Sequence, residues 1–158
     1  MAAGTSLHIV LVEPEIHWNT GNAGRTALAV GARLHLVRPL GFALTEREVR
    51  RAGLDYWKNV DPTIWSSWDE LEPELSRMGE PFFFSTKAER DLWSVDFPDR
   101  AVLIFGSETR GLSDELRDRY RERLVKIPMD STHVRSLNLS TSVAIGAFEV
   151  MRQWRMRG

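Results

Sequence analysis

Apolar residues recur along the chain in short runs that have the length of buried β-strands. Each run is nearly continuous in hydrophobic side chains, which is typical of strands buried on both faces of a parallel sheet. The runs lie at residues 7–12, 34–37, 81–85, 101–105 and 124–127.

The segments between these runs carry helix signals. Thr45 with Glu48 forms a capping box, and Ser67 is placed to cap a helix that runs to Met78. Further helices are predicted at residues 26–30, 113–120 and 143–151. Five or six strands that alternate with helices predict an α/β fold with a mostly parallel sheet flanked by helices. We expect a single domain over residues 1–158, of which residues 1–6 form a flexible N-terminus.

Three polar segments rich in Gly, Ser and Asn adjoin predicted strands, at residues 19–25, 106–112 and 135–142. In open α/β sheets, ligands bind beyond the carboxyl ends of the strands. Burying hydroxyl and amide groups beside a packed helix is costly unless those groups have partners. These segments therefore predict a binding site.

The first polar segment contains Asn19, Asn22 and Arg25, and the helix after it is expected to start at Thr26. It matches neither the dinucleotide-binding nor the phosphate-binding glycine pattern, so a simple turn capped by Asn19 or Asn22 remains an alternative. Arg25 would lie in the first helical turn, where the helix dipole disfavours a cation unless an anion is near. Its position favours a phosphate or carboxylate ligand.

Composition narrows the classes of function. The net charge of −1 argues against a generally basic nucleic-acid binder, although Arg47, Arg50, Arg51 and Lys58 form a local cluster. The chain has no cysteine, its histidines show no metal-ligand spacing, and we predict no metal. No run approaches the length of a membrane span and no secretion signal is visible, so we expect a cytoplasmic protein without membrane contact.

The three polar segments resemble the three motifs of the SPOUT methyltransferase superfamily. The pattern of Asn19, Gly21, Asn22 and Arg25 corresponds to the first motif. Residues 105–112 resemble the second, and residues 127–129 with 135–140 resemble the third. Residues 12–16, 39–42 and 50–56 also look like the TrmL type of tRNA 2′-O-methyltransferase, and the similarity spans residues 7–155.

This resemblance implies a C-terminal trefoil knot, S-adenosylmethionine as cofactor and a homodimer. It also implies 2′-O-methylation of the ribose of the wobble nucleotide, a cytidine or modified uridine at position 34 of tRNA, with the anticodon arm as partner. Cofactor-binding residues are expected at Phe84, Gly106, Ile127, Met129, Ser136 and Leu137.

The resemblance assigns Arg25 as the catalytic residue. A guanidinium has no free lone pair and stays protonated, so we expect Arg25 to grip a phosphate and orient the hydroxyl rather than act as a base. Asn22, Glu108 and Asn138 are expected to organise the loops, and Arg50, Arg51 and Arg135 to bind RNA. The alternatives are methylation of another tRNA position or of ribosomal RNA, and a non-catalytic cofactor- or RNA-binding protein.

Overall fold

A computed structural model describes residues 4–43 and 55–158 of the chain. Its six strands form one sheet in the order β3-β2-β1-β5-β4-β6, and every pair of neighbouring strands runs parallel. The strands are β1 Ser6–Val12, β2 Arg33–Val37, β3 Thr63–Trp65, β4 Glu80–Phe84, β5 Arg100–Phe105 and β6 Leu124–Val125.

Helices cover both faces of the sheet. They are α1 His17–Val30, α2 Trp57–Val60, α3 Trp68–Leu71, α4 Leu75–Met78, α5 Asp114–Arg119 and α6 Leu139–Arg157, with short 3-10 turns at Glu72–Glu74, Leu92–Ser94 and Arg121–Arg123. None of these helices in the described part of the chain is long and apolar enough to cross a membrane.

Alternate residues of each strand face two separate hydrophobic clusters. Ile9 and Leu11 of β1 point into the cluster that α1 and α6 cover. Val10 and Val12 point into the cluster beneath α3, α4 and α5. Burial of both faces explains why the strands are continuous apolar runs, and it confirms the predicted α/β fold with a parallel sheet.

The main correction concerns α1, which begins at His17 and not at Thr26. The segment predicted as a polar loop is therefore helical, and Arg25 lies in the second half of the helix rather than in its first turn. Arg25 is therefore not exposed to the positive end of the helix dipole, and the prediction of an anionic ligand from that dipole is wrong. No local side chain caps the N-terminal end of α1. Instead, a distant loop described below accepts the backbone N–H groups of Glu15 and Ile16, which directly precede the helix.

Smaller differences occur at other ends of elements. Ser6 belongs to β1 and is paired with β5. The flexible segment predicted for residues 1–6 therefore does not include Ser6. Residues 1–3 lie outside the described residues. β3 is a three-residue edge strand that the apolar pattern did not indicate. The last helix starts at Leu139, four residues before the predicted start, because Asn138 caps it.

Other predictions are confirmed. Ser67 accepts a hydrogen bond from the backbone N–H of Glu70 and caps α3, as predicted, but the helix predicted to run to Met78 is divided into α3, a 3-10 turn and α4. Ser113 likewise caps α5 through the backbone N–H of Leu116. The capping box at Thr45 and Glu48 lies outside the described residues. The knot stays a prediction, with which the return of α6 to pack on α1 and β5 is compatible.

Two histidines on neighbouring strands, the buried His35 and the half-buried His8, form a polar pair. Trp65 Nε1 donates to Nδ1 of His35 at 3.1 Å, so Nε2 of His35 carries the proton that faces Nδ1 of His8 at 2.9 Å. Burial, with a smaller contribution from His8, lowers the pKa of His35 to about 3. Burial also lowers the pKa of His8, and the two rings hydrogen-bond to each other, so both histidines have a structural role.

Candidate functional site

The loop after β5 is joined to the start of α1 by the carboxylate of Glu108. Its Oε1 accepts the backbone N–H of Glu15 at 2.8 Å. Its Oε2 accepts the backbone N–H of Ile16 at 2.8 Å and Nδ2 of Asn19 at 3.2 Å. Glu108 thus supplies from a distance the negative charge and the acceptors that the helix start lacks locally.

A second carboxylate makes the reciprocal connection between the same two loops. Oε1 of Glu15 accepts the backbone N–H of Thr109 at 3.1 Å and its hydroxyl at 2.6 Å. These hydrogen bonds lower the pKa of the Glu15 carboxyl. Each loop therefore contributes a carboxylate to the backbone of the other.

The N-terminus of α6 joins this network through two asparagines. Nδ2 of the Asn138 side chain donates to Oδ1 of Asn19 at 3.0 Å. Oδ1 of Asn138 accepts the backbone N–H of Ser140 at 2.9 Å and that of Thr141 at 3.3 Å. Asn19 is only 2% exposed and has both ends of its amide paired, so the three polar segments predicted from the sequence are physically connected.

The loop after β5 turns back on itself at two glycines. Ser107 and Gly111 exchange backbone hydrogen bonds of 2.9 and 3.3 Å. A Cβ at Gly106 would collide with the backbone of Gly111 and Leu112, and Gly111 has a φ of 65°. The tight return therefore requires glycine at position 106, and the positive φ favours glycine at position 111.

A cavity of about 300 Å³ lies between this loop, the end of β4 and the segment that leads into α6. Phe105, Val125 and Leu139 contribute apolar surface, and Ser107 and Ser142 contribute hydroxyl groups. The structure also brings together at this cavity all six residues expected to bind the cofactor: Phe84, Gly106, Ile127, Met129, Ser136 and Leu137.

The side chain of Phe84 is part of the core as well as of the cavity wall. Its ring stacks on Phe105 with centroids 4.4 Å apart. A Cβ at Gly146 of α6 would lie 2.9 Å from its Cζ, so the absence of a side chain at Gly146 makes room for the ring. The size of Phe84 thus sets how closely α6 approaches the sheet beneath the cavity.

Arg25 is exposed on α1 and is not among the residues that line this cavity. Its guanidinium lies over the ring of Tyr56, 5.9 Å from the centroid, and the Tyr56 hydroxyl donates to the carbonyl of Gly21 at 3.1 Å. Asn22 is also exposed on α1. The structure therefore separates Arg25 and Asn22 from the cavity of their own chain.

Of the residues expected to bind RNA, Arg135 is exposed and lines the cavity. Arg50 and Arg51 lie outside the described residues. Lys87, Arg110 and Arg117 also line the cavity, and sequence reasoning did not single them out. Within residues 4–43 and 55–158, no group of three or more His, Asp or Glu side chains is placed to hold a metal ion.

Sequence reasoning missed the contribution of Glu15 and Thr109 to the network. Both belong to segments that resemble known motifs, but neither spacing nor hydropathy relates two residues so far apart in the chain. Only the structure shows that Asn19 is buried within a helix, where its amide needs partners.

Comparison with known proteins agrees with this arrangement. The model of the SpoU rRNA Methylase family matches residues 6–148. A tRNA (cytidine(34)-2′-O)-methyltransferase of Burkholderia pseudomallei is 42% identical over 156 residues, covering 96% of this chain and 97% of that protein.

Solved structures are similar over the same range. One, which concerns the 2-OH methylation of C/U34 on tRNA, matches with a TM-score of 0.89 at 43% identity and covers 98% of this chain and 99% of that one. An AdoMet-bound rRNA methyltransferase from Sinorhizobium meliloti matches with a TM-score of 0.78 at 25% identity, covering 93% of this chain and 56% of that one. With most of its length matched by the family model and a close relative aligned almost end to end, the chain belongs to the SpoU rRNA Methylase family and has the fold of the SPOUT methyltransferases.

Proposed function

We propose that this protein uses S-adenosylmethionine to methylate the ribose 2′-hydroxyl of the wobble nucleotide, position 34, of tRNA. The nucleotide is a cytidine or a modified uridine. The observation that carries the proposal is the cavity at which Phe84 and five residues of the second and third motifs converge. The relatives aligned over nearly the whole chain are enzymes of this reaction by name.

The residues of the cavity fit the cofactor. Its volume lies at the lower end of the range for small-molecule sites, and its lining combines apolar side chains with hydroxyls and loop backbone. Phe84, Ile127 and Leu137 would enclose the adenosine, while the backbone at Gly106 and Met129 and the hydroxyl of Ser136 would hold its polar atoms. S-adenosylmethionine supplies an electrophilic methyl group when it is bound.

The chain must hold the 2′-hydroxyl in line with that methyl group and exclude water. Positioning of this kind can contribute up to about 7–11 kcal/mol to lowering a barrier. We assign the orienting role to Arg25, whose guanidinium can grip a phosphate next to the reactive ribose through two parallel hydrogen bonds. Because Arg25 cannot accept a proton, the hydroxyl proton passes to a phosphate oxygen or to water.

Basic residues at the mouth of the cavity are suited to the RNA backbone. Arg135 and Lys87 are exposed there, and the Arg50 and Arg51 cluster is a further candidate from the sequence. Phosphate contacts release counterions, so we expect binding of the anticodon arm to weaken steeply as salt rises.

We further propose that the protein acts as a homodimer in the cytoplasm. Exposed apolar side chains lie on the two adjacent helices α1 and α6, namely Leu28 at 39%, Phe148 at 48% and Met156 at 77% exposure. A second copy that covers this surface would bury them and bring α1 of one subunit near the cavity of the other. Such an arrangement would account for the distance between Arg25 and its own cavity.

The test is methyl transfer from labelled S-adenosylmethionine into total tRNA that lacks wobble methylation, with the modified nucleotide mapped by mass spectrometry. A 2′-O-methyl group at position 34 that is lost in Arg25→Ala is the expected result. A mark at another tRNA position, or in ribosomal RNA supplied in parallel, would refute the assignment of the substrate. Cofactor binding measured by calorimetry separates a wrong substrate from an inactive cofactor site.

A further inference from the structure

An exposed tryptophan stands in the first turn of α1. Trp18 is 56% exposed, although an indole normally contributes to stability by being buried. The ring of His17 contacts the Trp18 indole edge-on, with ring centroids 5.0 Å apart and an interplanar angle of 78°. The His17 ring also contacts the ring of Phe42, with centroids 6.5 Å apart. The indole is thus fixed in place while more than half of its surface stays free.

Trp18 shares one face of α1 with Asn22 and Arg25. Residues at spacings of four and seven lie on the same side of an α-helix, and all three side chains are exposed. Trp18 and Arg25 are separated by about 10.5 Å along the helix axis. This exposed face, the Trp18–Arg25 face, presents an aromatic plane, an amide and a cation in a row.

The Arg25 cation has no acidic partner within residues 4–43 and 55–158. In this part of the chain its guanidinium lies over the ring of Tyr56. Arginines in other parts of the described chain do find acids, as Arg119 does with Glu72 and Glu115. A partner that offers both an anion and an aromatic plane complements the Trp18–Arg25 face, and an unpaired stretch of RNA offers both in each nucleotide.

We propose that Trp18 is a stacking platform for an unpaired base that neighbours the methylated nucleotide. The inference rests on the proposed function and adds a positioning residue to it. Trp18 stacks on the base while Arg25 holds a phosphate of the same stretch of RNA. Because every base has a π-face, Trp18 contributes affinity without selecting the sequence.

The network described above connects this platform with the cofactor cavity. Asn19, adjacent to Trp18, has its amide fixed by Glu108 of the loop after β5 and by Asn138 at the start of α6. A base that stacks on Trp18 is therefore held in a fixed relation to the two loops that form the cavity. The loss of Trp18 should thus raise KM for tRNA more than it lowers kcat.

The experiment uses the full chain and a fluorescein-labelled hairpin with the sequence of a tRNA anticodon arm, whose binding is followed by anisotropy. Trp18→Ala should weaken binding about 10-fold, and Trp18→Phe should recover most of the affinity, because a smaller ring still stacks. Trp93→Ala is the matched control, since Trp93 is 59% exposed and does not line the cavity. We expect it to bind as the wild type does.

Hairpins with an abasic site on either side of nucleotide 34 identify the stacked base. On the hairpin that lacks this base, Trp18→Ala and the wild type should bind equally. The salt dependence should be unchanged in Trp18→Ala, because stacking releases no counterions, whereas Arg25→Gln should lower its slope by about one unit.

The inference is overturned if Trp18→Ala binds like Trp93→Ala, or if neither abasic hairpin removes the difference from the wild type. It is also overturned if Trp18→Ala without RNA sediments as a different species from the wild type, since the indole then serves a contact between protein subunits. If the wild type methylates position 34 in these cases, only the role of Trp18 fails. If the wild type neither binds nor methylates the anticodon arm, the proposed function fails and the inference fails with it.

Discussion

Replacing Glu108 by alanine tests whether a single carboxylate joins the cavity loop to α1. The substitution removes the acceptor for two backbone N–H groups at 2.8 Å and for the amide of Asn19 at 3.2 Å. Alanine offers no acceptor, and no other side chain caps the start of α1. The first turn of the helix and the loop after β5 should therefore loosen together.

The expected cost follows from these contacts. A hydrogen bond to a charged group contributes about 1.5–3 kcal/mol, and the loss of a helix cap costs about 1 kcal/mol. Water can replace part of the lost bonding because the site is only partly buried, so we expect the free energy of unfolding to fall by about 2–4 kcal/mol. For a chain of this size, that corresponds to a decrease in Tm of roughly 5–15 °C.

Urea unfolding followed by circular dichroism measures the free energy, and calorimetry measures cofactor affinity, which should fall in parallel. Glu115→Ala is the control, because the Glu115 side chain is 78% exposed and its one ion pair in the described part of the chain is with Arg119 at 2.7 Å. Breaking an exposed pair of this kind costs at most about 1 kcal/mol. Equal free energies of unfolding for the two variants would refute the role assigned to Glu108.

Three further predictions concern chemistry, loop shape and pH. Arg25→Lys should lower kcat/KM at least about 10-fold with unchanged thermal stability, since lysine lacks the planar fork, and near-normal turnover would contradict the two-bond grip. Gly106→Ala should abolish cofactor binding in calorimetry because its methyl group meets the loop backbone, whereas Gly111→Ala, which faces open space at positive φ, should cost only about 1 kcal/mol. Burial lowers the pKa of His35 to about 3 in the folded protein, whereas in the unfolded chain this imidazole becomes protonated already below about pH 6.5. The stability contributed by the neutral His35 is therefore complete above pH 6.5 and is lost as pH falls towards 3, by about 2 kcal/mol between pH 6.5 and 5. In His35→Phe, the midpoint of urea unfolding should depend less on pH over this range than in the wild type.

The sequence was most informative where local pattern and buried surface coincide. The central strands β1, β4 and β5 are buried on both faces, so each is a continuous apolar run that can be recognised without its neighbours. β3 could not be predicted in this way, because its three half-buried residues at the sheet edge do not form an apolar run.

The start of α1 could not be predicted, for a different reason. Helix starts are recognised from a capping residue next to the first turn, but here the cap is Glu108, 92 residues away from Ile16. Gly21 and Gly24 favour a turn at residues 19–25, but tertiary contacts override this local preference.

The candidate site was predictable in its residues but not in its geometry. The family resemblance located six of the residues that line the cavity, and these residues meet there because loops after parallel strands lie at one edge of the sheet. The separation of Arg25 from that cavity, and the pairing of Glu15 with Thr109, depend on contacts between distant segments that no spacing encodes.

The close approach of Gly146 to the ring of Phe84 has a consequence for how this family can vary. The two positions share one volume beneath the cofactor cavity, and a side chain at one is possible only when the other is small. We therefore expect residues 84 and 146 to change together among relatives, with an aliphatic residue at 84 accompanied by alanine or a larger residue at 146. The shape of the cavity floor therefore depends on both residues together. Replacing one of them by the residue of a relative requires the matching replacement at the other.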